Sequence, residues 1–362
     1  MKAIVLAGGE GTRLRPLTCT TPKQLLPIAE VPMLERVLSQ LALHGVDEAI
    51  LSLGYRPDAF LAAYPDGVAG GVRLSYAVEP EPMDTAGAVR FAADAVGVQE
   101  TFVVVNGDVL TDVNISGLVA FHHRHGAAAT IHLTPVDDPS RFGVVPADSE
   151  GRVISFIEKP PPGEAPTNLI NAGTYVLEPG VLEWIPKGRR ISIERETFPA
   201  LVAEGALYAQ ASDAYWLDTG TPEAYLRANF DLLDGTRGSL PAPGARSLAT
   251  QVWVLGAPDV QGEVGPCTLV GDRARTVAGS TVRRSVVGAR CCVEASAVVD
   301  GSVLLGGARV GAGARVVGSI VGHDASVGEC CELEALTVVG DKEIVHPRTR
   351  LVGGRVPAEI AE

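Results

Sequence analysis

Lysine is scarce in this 362-residue chain, and no segment is rich in basic residues. The formal net charge is −13, from 30 basic and 43 acidic residues, which argues against a nucleic-acid-binding protein. No apolar run is long enough to cross a bilayer, and the run after Met1-Lys2 is too short for a signal peptide. We therefore expect a cytoplasmic protein without a membrane partner.

The six cysteines lack the C-x-x-C spacing of zinc and redox sites. Cys291-Cys292 and Cys330-Cys331 are adjacent pairs, which suit reduced thiols better than a disulfide framework. His122 and His125 share one face of a predicted helix end, as metal ligands would, but we expect a solvated, polar helix end there. The composition therefore indicates a reducing compartment and no structural metal.

Two common phosphate motifs are also absent from the N-terminal glycine loop. The loop ends in Thr12-Arg13, not in the Gly-Lys-Ser/Thr of a Walker A loop. Leu14 stands where a dinucleotide fingerprint needs its third glycine. The loop still suits an anion, because Gly8, Gly9 and Gly11 let backbone N–H groups approach it closely.

Cationic side chains follow this loop, as a polyphosphate requires. Arg13 and Arg15 lie within it, and Lys23 comes ten residues after Arg13. Only five of the 30 basic residues are lysines, yet Lys23 and Lys159 both lie in candidate phosphate motifs. This choice favours a compact ammonium group at both positions. The loop therefore predicts a protein that handles a nucleoside triphosphate.

Residues 1 to about 235 alternate apolar strands with helical patterns. This alternation predicts a Rossmann-like, mostly parallel α/β sheet, with ligands beyond the carboxyl ends of the strands. The glycine loop and Asn106-Gly107-Asp108 both fall at such ends. The predicted strands are Ala3–Leu6, Ala49–Leu53, Leu74–Val78 and Phe102–Val105, and the predicted helices are Met33–His44, Pro57–Tyr64 and Thr85–Val96.

A short motif then recurs along the C-terminal part of the chain. It begins at Thr268, Ser285, Ser302, Ser319 and Thr337, at offsets of 17, 17, 17 and 18 residues. One coil of a left-handed parallel β-helix is about three hexapeptides, so these five blocks predict that architecture. We expect a catalytic domain over 1–235, a breaker-rich linker over 236–251 and the β-helix over 252–355.

The N-terminal motifs resemble the signature of the sugar-1-phosphate nucleotidylyltransferases, or NDP-sugar pyrophosphorylases. The string G-G-x-G-T-R-L-x-P-L-T, with P-K-x-L-x-P downstream, carries the resemblance, which extends over essentially the whole chain. It implies in-line attack of a sugar phosphate oxygen on the α-phosphorus of an NTP, with pyrophosphate leaving. It also implies a β-helix that mediates regulation or homo-oligomerisation, and a solenoid end has unpaired strand edges that need cover.

By this resemblance, Arg13 and Lys23 contact the triphosphate and stabilise the leaving pyrophosphate. Asp108, in V-V-V-N-G-D, and Asp218, in Y-W-L-D-T-G-T-P, hold the divalent metal, which we expect to be Mg²⁺. The expected catalytic residues are therefore Arg13, Lys23 and Asp108. The expected sugar-phosphate contacts are Gly143, Glu158 and Lys159 of E-K-P, and Asn171 of N-A-G.

The nucleotide contacts implied by the family are Leu6, Gly8, Gly9, Gly11, Thr12, Glu79 and Gly87. A carboxylate at Glu79 favours GTP, because guanine offers N1–H and N2–H side by side. E-P-x-x-T-A-G and the segment 191–199 are also similar to mannose-1-phosphate guanylyltransferases. Two departures remain: Gln24 resembles thymidylyltransferases, and Asp84 replaces a glycine that is common in the guanylyl subgroup.

Several alternatives stay open on the sequence. The enzyme could transfer a thymidylyl, adenylyl or uridylyl group, and the acceptor could be mannose 1-phosphate, another sugar phosphate or a cyclitol phosphate. Pocket shape decides between such acceptors, and motifs do not report it. A non-catalytic regulatory subunit of the same fold would have lost Arg13, Lys23, Asp108 or Lys159, but all four are present.

Overall fold

The computed structural model describes residues 1–237 and 240–358, which form two compact units. The first unit comprises Met1–Gly9 and Leu34–Leu217, and the second comprises Glu10–Met33 and the chain from Asp218 onward. The signature loop, residues 10–33, therefore groups with the C-terminal repeats. The domain limits drawn from the sequence pattern follow chain order instead and stay a prediction.

The first unit is built on a ten-stranded sheet whose parallel centre confirms the α/β prediction. Lys2–Leu6 pairs in parallel with both Glu48–Leu53 and Phe102–Asn106, and Leu169–Leu177 runs antiparallel to Phe102–Asn106. Ala129–Pro135 joins Leu169–Leu177 to Leu207–Ala211. The order along the sheet is Ile157–Glu158, Gly143–Val144, Leu169–Leu177, Phe102–Asn106, Lys2–Leu6, Glu48–Leu53, Val72–Val78 and Val68–Ala69.

Helices pack on this sheet through periodic apolar positions. Asp84–Val96 buries Ala86, Val89, Ala92 and Ala93, which lie on one face at helical spacing. The predicted strands and helices are confirmed, with ends that differ by at most two residues, as helix and strand ends commonly do. The helices are Met33–Leu43, Pro57–Ala63, Asp84–Val96, Ile115–His125 and Phe198–Ala203, and two further short strands are Val109–Thr111 and Trp216–Asp218.

The repeats of the second unit form a parallel β-helix of three sheets, as predicted. The first sheet contains Arg246–Ala249, Val252–Val254, Thr268–Val270, Val286–Val287, Val303–Leu304, Ile320–Val321, Val338–Val339 and Arg355–Val356. The second contains Asp259–Val260, Arg275–Thr276, Cys292–Val293, Arg309–Val310, Ser326–Val327 and Ile344–Val345. The third contains Glu263–Val264, Thr281–Arg283, Val298–Asp300, Arg315–Val317, Glu332–Glu334 and Arg350–Val352.

The serine or threonine that opens each repeat lies in a buried column. Ser285, Ser302 and Ser319 are fully buried, and each of the latter two donates its backbone N–H to the hydroxyl of the serine one coil earlier, at 3.1 Å. The hydroxyls donate in turn to backbone carbonyls. Buried polar groups must be paired in this way, which accounts for the small hydroxyl residue in each block.

The β-helix extends on both sides of the five blocks recognised in the sequence. Val252–Val254 adds a coil before the first recognised block, and Arg355–Val356 adds a strand after the last one. The segment expected as a linker contains the strand Arg246–Ala249, which pairs antiparallel with Val252–Val254. This strand covers the edge of the first coil, which would otherwise expose unpaired backbone groups. The composition of the segment hid the strand, because breaker residues surround it.

The expectation of a solvated helix end is wrong for His122. Its side chain is 1% exposed, with Nδ1 2.8 Å from Thr130 Oγ1 and Nε2 3.0 Å from Glu178 Oε1. The ring is thus a satisfied core histidine. The described residues hold no group of three or more metal-ligating side chains, and none of their helices is long and apolar enough to cross a membrane.

His132 is a second buried histidine and gives the first unit a pH dependence. Burial lowers its pKa to about 4, below the value of about 6.5 expected in the unfolded chain. Between these values the unfolded chain binds the extra proton, so stability falls as the pH drops from 6.5 towards 4. Its Nε2 is 2.8 Å from Ser212 Oγ, whereas no partner within the described chain reaches Nδ1.

We expect wild type to lose about 2 kcal/mol more stability than His132→Gln between pH 7 and pH 4.5, because the variant lacks the titrating ring. Thermal unfolding of both proteins at the two pH values measures the difference. A stability gap between them that is the same at both pH values would contradict the assignment.

Candidate active site

The carboxylate of Glu79 is held just beyond the carboxyl end of the strand Val72–Val78 in the first unit. Ser52 donates its hydroxyl to Glu79 Oε1 at 2.9 Å, and the Met83 N–H donates to Oε2 at 3.1 Å. A Cβ at Gly8 would lie 3.3 Å from Glu79 Oε1, so the glycine loop and this carboxylate are close. A carboxylate has about four acceptor sites, so each oxygen can accept a further hydrogen bond.

Ser52 is a functional candidate that the motif search missed. It is completely buried in the strand Glu48–Leu53, among apolar neighbours. Its hydroxyl is what fixes one oxygen of Glu79. The sequence did contain one indication of this role, because Ser52 is a polar residue within an otherwise apolar predicted strand.

Gly87 has a packing role that its motif did not indicate. A Cβ there would lie 2.6 Å from the carbonyl oxygen of Arg189, and the Gly87 N–H donates to the Ile191 carbonyl at 3.2 Å. The helix therefore needs glycine to approach the 189–191 segment. Its expected contact with the nucleotide stays a prediction.

Asp84, which departs from the subgroup pattern, has φ +58°. Glycine adopts this left-handed conformation without strain, whereas other residues do so at a cost. The Asp84 carboxylate accepts a hydrogen bond from the Thr85 N–H at 2.8 Å, and such local bonds help aspartate to tolerate the conformation. The backbone thus explains why glycine is common at this position.

The N-G-D and N-A-G motifs meet at one edge of the sheet. Gly107 donates its N–H to the Leu6 carbonyl at 2.9 Å, which joins the turn before Asp108 to the end of the first strand. Gly173 has φ +73°, and a Cβ there would lie 2.5 Å from Asn106 Nδ2. The pairing with Ala129–Pro135 shifts register between Asn171 and Tyr175, so the N-A-G motif forms a bulge, and this bulge lies beside Asn106.

The expected sugar-phosphate residues lie on neighbouring strands of the same edge. Gly143 pairs with Glu158, and a Cβ at Gly143 would be 3.1 Å from Glu158 Oε2. Lys159 Nζ is 3.3 Å from Glu158 Oε1, and the lysine side chain is 59% exposed, which leaves its ammonium accessible to an anion. Asn171 donates to the Tyr175 hydroxyl at 2.9 Å and accepts from the Gly173 N–H at 3.0 Å.

In the second unit, the Arg13 guanidinium lies beside the carboxylate of Asp218. Arg13 Nη2 is 3.8 Å from Asp218 Oδ2, and the Gly220 N–H donates to Oδ1 at 2.8 Å. A Cβ at Gly220 would contact Arg13 Nη2, so glycine leaves room for the guanidinium in this position. The sequence suggested both charged residues but not this pair.

Lys23 is 7% exposed and opens a tight turn, Lys23–Leu25. Gly11 has φ +64°, and a Cβ there would lie 3.1 Å from Lys23 Cβ and 3.0 Å from Thr18 Cγ2. Thr18 donates its hydroxyl to the Gly11 carbonyl at 2.9 Å, and Thr12 begins the next turn, Thr12–Leu14. The signature loop is therefore a packed structure in which glycine is needed for space.

Each unit thus holds part of the expected site. Described separately, the first contains Leu6, Gly8, Gly9, Glu79, Gly87, Asp108, Gly143, Glu158, Lys159 and Asn171, and the second contains Gly11, Thr12, Arg13, Lys23 and Asp218. Within the first unit, the structure brings together Glu79 with Gly8, Asn106 with the N-A-G bulge, and Glu158 with Lys159.

Comparison with known proteins gives two family matches. The model described as nucleotidyl transferase matches residues 2–235, and the one described as GMPPB C-terminal domain matches residues 264–358. The mannose-1-phosphate guanylyltransferase of Mycobacterium tuberculosis is 44% identical over 246 residues, covering 67% of each chain. Mannose-1-phosphate guanylyltransferase 1 of Arabidopsis thaliana is 35% identical, covering 98% of this chain and 95% of its own. The crystal structure of HddC from Yersinia pseudotuberculosis has 30% identity and a TM-score of 0.55, covering 63% of this chain and 97% of that one.

The packing role of Gly87 makes a specific prediction. Gly87→Ala should lower the free energy of unfolding by about 1–3 kcal/mol, because its methyl would meet a backbone oxygen that cannot move freely. Gly180→Ala is the matched control, since a Cβ there meets nothing within 4 Å. Thermal unfolding of both variants measures the effect, and equal midpoints would contradict the packing role.

Proposed function

The chain belongs to the nucleotidyl transferase family, and from this membership we propose that it transfers the guanylyl group of GTP to mannose 1-phosphate. Transfer from an NTP to a sugar phosphate follows from the family; guanine and mannose are the finer proposal. A phosphate oxygen of the sugar attacks the α-phosphorus, the bond to the bridging β-phosphate oxygen breaks, and GDP-mannose and pyrophosphate form. The single observation that carries guanine is the fixed carboxylate of Glu79.

Glu79 reads the base through acceptor sites that Ser52 and Met83 leave available. Guanine offers N1–H and N2–H side by side, and the other common bases lack that pair of donors. Because the carboxylate is already oriented, little side-chain entropy is lost when the base binds. A neutral amide would keep one acceptor and present a donor where guanine also donates.

Arg13 and Lys23 offset the charge on the triphosphate and stabilise the leaving pyrophosphate. The Asp218 carboxylate, 3.8 Å from Arg13 Nη2, attracts the guanidinium before the nucleotide binds. Phosphate oxygens then share or replace that carboxylate as partners of the guanidinium. Lys159 binds the phosphate of the acceptor, while Glu158 and Asn171 contact its hydroxyls and the Gly143 backbone approaches the sugar.

Asp108 and Asp218 supply carboxylate oxygens, which suit Mg²⁺ held jointly with substrate phosphates. Their donor chemistry fits that metal, because Mg²⁺ is commonly held by one or two carboxylates together with substrate phosphates and water. A bound Mg²⁺ would offset charge on the triphosphate oxygens. We also propose a cytoplasmic enzyme, in keeping with its free cysteines, and a homo-oligomer formed through the β-helix.

The Glu79 assignment is tested by nucleotide preference. Pyrophosphate release with Mg²⁺ and mannose 1-phosphate is compared for GTP, dTTP, ATP and UTP. Wild type should prefer GTP, and Glu79→Gln should lower kcat/KM for GTP by about tenfold or more, as the loss of a charged hydrogen bond implies. Glu81→Gln, at an exposed carboxylate of the same segment, is the control. A wild-type preference for dTTP would favour the thymidylyltransferase interpretation based on Gln24. An unchanged nucleotide preference in Glu79→Gln would contradict the role of Glu79 in recognising the base.

The metal assignment is tested at Asp108. Asp108→Asn should reduce turnover by roughly a hundredfold or more, because a hard cation loses a carboxylate ligand. Chelation of divalent ions should abolish wild-type activity, and added Mg²⁺ should restore it. Thermal unfolding checks that the variant is folded. Wild-type rates in Asp108→Asn would show that this carboxylate holds no metal.

A further inference from the structure

The signature loop, residues 10–33, is packed on the corners of the β-helix, each corner being the turn that follows a strand of its first sheet. We propose that contacts at Glu30 and Asp341 position the loop for catalysis, so that the β-helix is part of the catalytic machinery. This inference rests on the proposed role of Lys23, which lies between the two contacts in the loop. Glu30 and Asp341 are positioning residues in this proposal, because each acts on catalysis through the contact between the loop and a corner.

The first contact is made at the tip of a hairpin formed by Pro27–Ile28 and Val31–Pro32. Glu30 Oε2 accepts a hydrogen bond from the Ala289 N–H at 2.8 Å. A Cβ at Gly271 or at Gly288 would lie 2.9 Å from a carboxylate oxygen of Glu30. The carboxylate therefore occupies a notch between two successive coils that only glycines leave open.

The electrostatics of this notch indicate a specific contact. Burial raises the pKa of Glu30, and the Ala289 N–H together with the nearby His323 and Arg290 side chains acts against that rise. Burying a carboxylate is costly unless partners compensate. The paired, buried carboxylate therefore fixes this point of the loop on the corner at Ala289.

The second contact lies near the other end of the β-helix. The Thr20 hydroxyl donates to Asp341 Oδ2, and the Thr21 hydroxyl lies 3.4 Å from the same oxygen. Asp341 Oδ1 accepts from the His323 N–H at 2.8 Å, which fixes the carboxylate on its own corner. A Cβ at Gly340 would lie 3.1 Å from the Pro16 ring, so this corner too is shaped to admit the loop.

The helix Pro222–Leu233 secures the same hairpin from a third direction. Asn229 Oδ1 accepts from the Ala29 N–H at 2.7 Å, and the Tyr225 hydroxyl donates to the Pro27 carbonyl. This helix follows the Asp218–Gly220 turn that borders Arg13. The supports of Arg13 and of Lys23 thus belong to one connected structure within the second unit.

Positioning matters here because a lysine side chain is long and flexible. Lys23 is almost completely buried in its turn, so the loop sets where its ammonium lies. Displacement of a catalytic group by about 1 Å can cost up to a hundredfold in rate. Releasing one end of the loop should therefore lower kcat even in a variant that remains folded.

The test combines kinetics with a double-mutant cycle. Asp341→Ala should lower kcat with GTP and mannose 1-phosphate by about tenfold, and so should Thr20→Val, with the double variant no worse than either single one. Asp341→Asn should stay within about twofold of wild type, since its amide keeps an acceptor for the His323 N–H and can bond the Thr20 hydroxyl. Asp300→Ala, which removes an ion pair to Arg283 elsewhere on the β-helix, is the matched control.

A second measurement does not depend on turnover. Hydrogen exchange of the peptide spanning residues 14–26 should quicken in Asp341→Ala and in Glu30→Ala, whereas Asp300→Ala should match wild type. Unchanged exchange in both loop variants would overturn the proposal, whatever the activity. So would a kcat of Asp341→Ala equal to that of Asp300→Ala, even with a lowered Tm. If wild type is inactive with GTP, dTTP, ATP and UTP, the proposed function is contradicted. The hydrogen-exchange result then tests by itself whether the two contacts hold the loop in place.

Discussion

The parallel pairing of Lys2–Leu6 with both Glu48–Leu53 and Phe102–Asn106 is the constraint on which the first unit depends. Its register brings the carboxyl ends of three strands to one edge, where polar groups can converge. Ser52, at the end of one neighbour, orients Glu79, and Asp108 follows the end of the other. The antiparallel strand Leu169–Leu177 then adds the N-A-G bulge to the same edge. A shift in the pairing register of these strands would therefore displace all of these residues at once.

Periodic features of the chain were predictable from sequence, and long-range pairs were not. Strands, helices and coils follow from apolar spacing, which each short segment carries by itself. The Ser52–Glu79 bond joins residues 27 positions apart, and Arg13 meets Asp218 across the whole catalytic region. Such pairs depend on tertiary packing, so motifs could indicate the chemistry of each residue but not its partner. His122 shows the same limit, because its hydrogen-bond partners, Thr130 and Glu178, both lie outside its helix.

The signature loop leaves the first unit after Gly9 and returns at Leu34. As a result, Arg13 and Lys23 belong to the second unit, although the motif that contains them begins on the first strand of the chain. Domain limits drawn from sequence similarity alone place these cations in the catalytic domain. Glu30 of the loop contacts the corner at Ala289, and Asp341 of another corner contacts Thr20 of the loop, which gives the physical reason for the different grouping.

The two corner contacts also relate the number of coils to the length of the loop. Ala289 and Asp341 are three coil steps apart, which at the spacing of neighbouring strands corresponds to about 14 Å along the β-helix. Eleven residues of the loop, from Thr20 to Glu30, span that interval. Repeat proteins gain and lose whole repeats readily, because each repeat contacts only its neighbours. Between these corners, however, a gained or lost repeat would change the distance that the loop must bridge. The number of coils between the two corners and the length of the loop can therefore change only together.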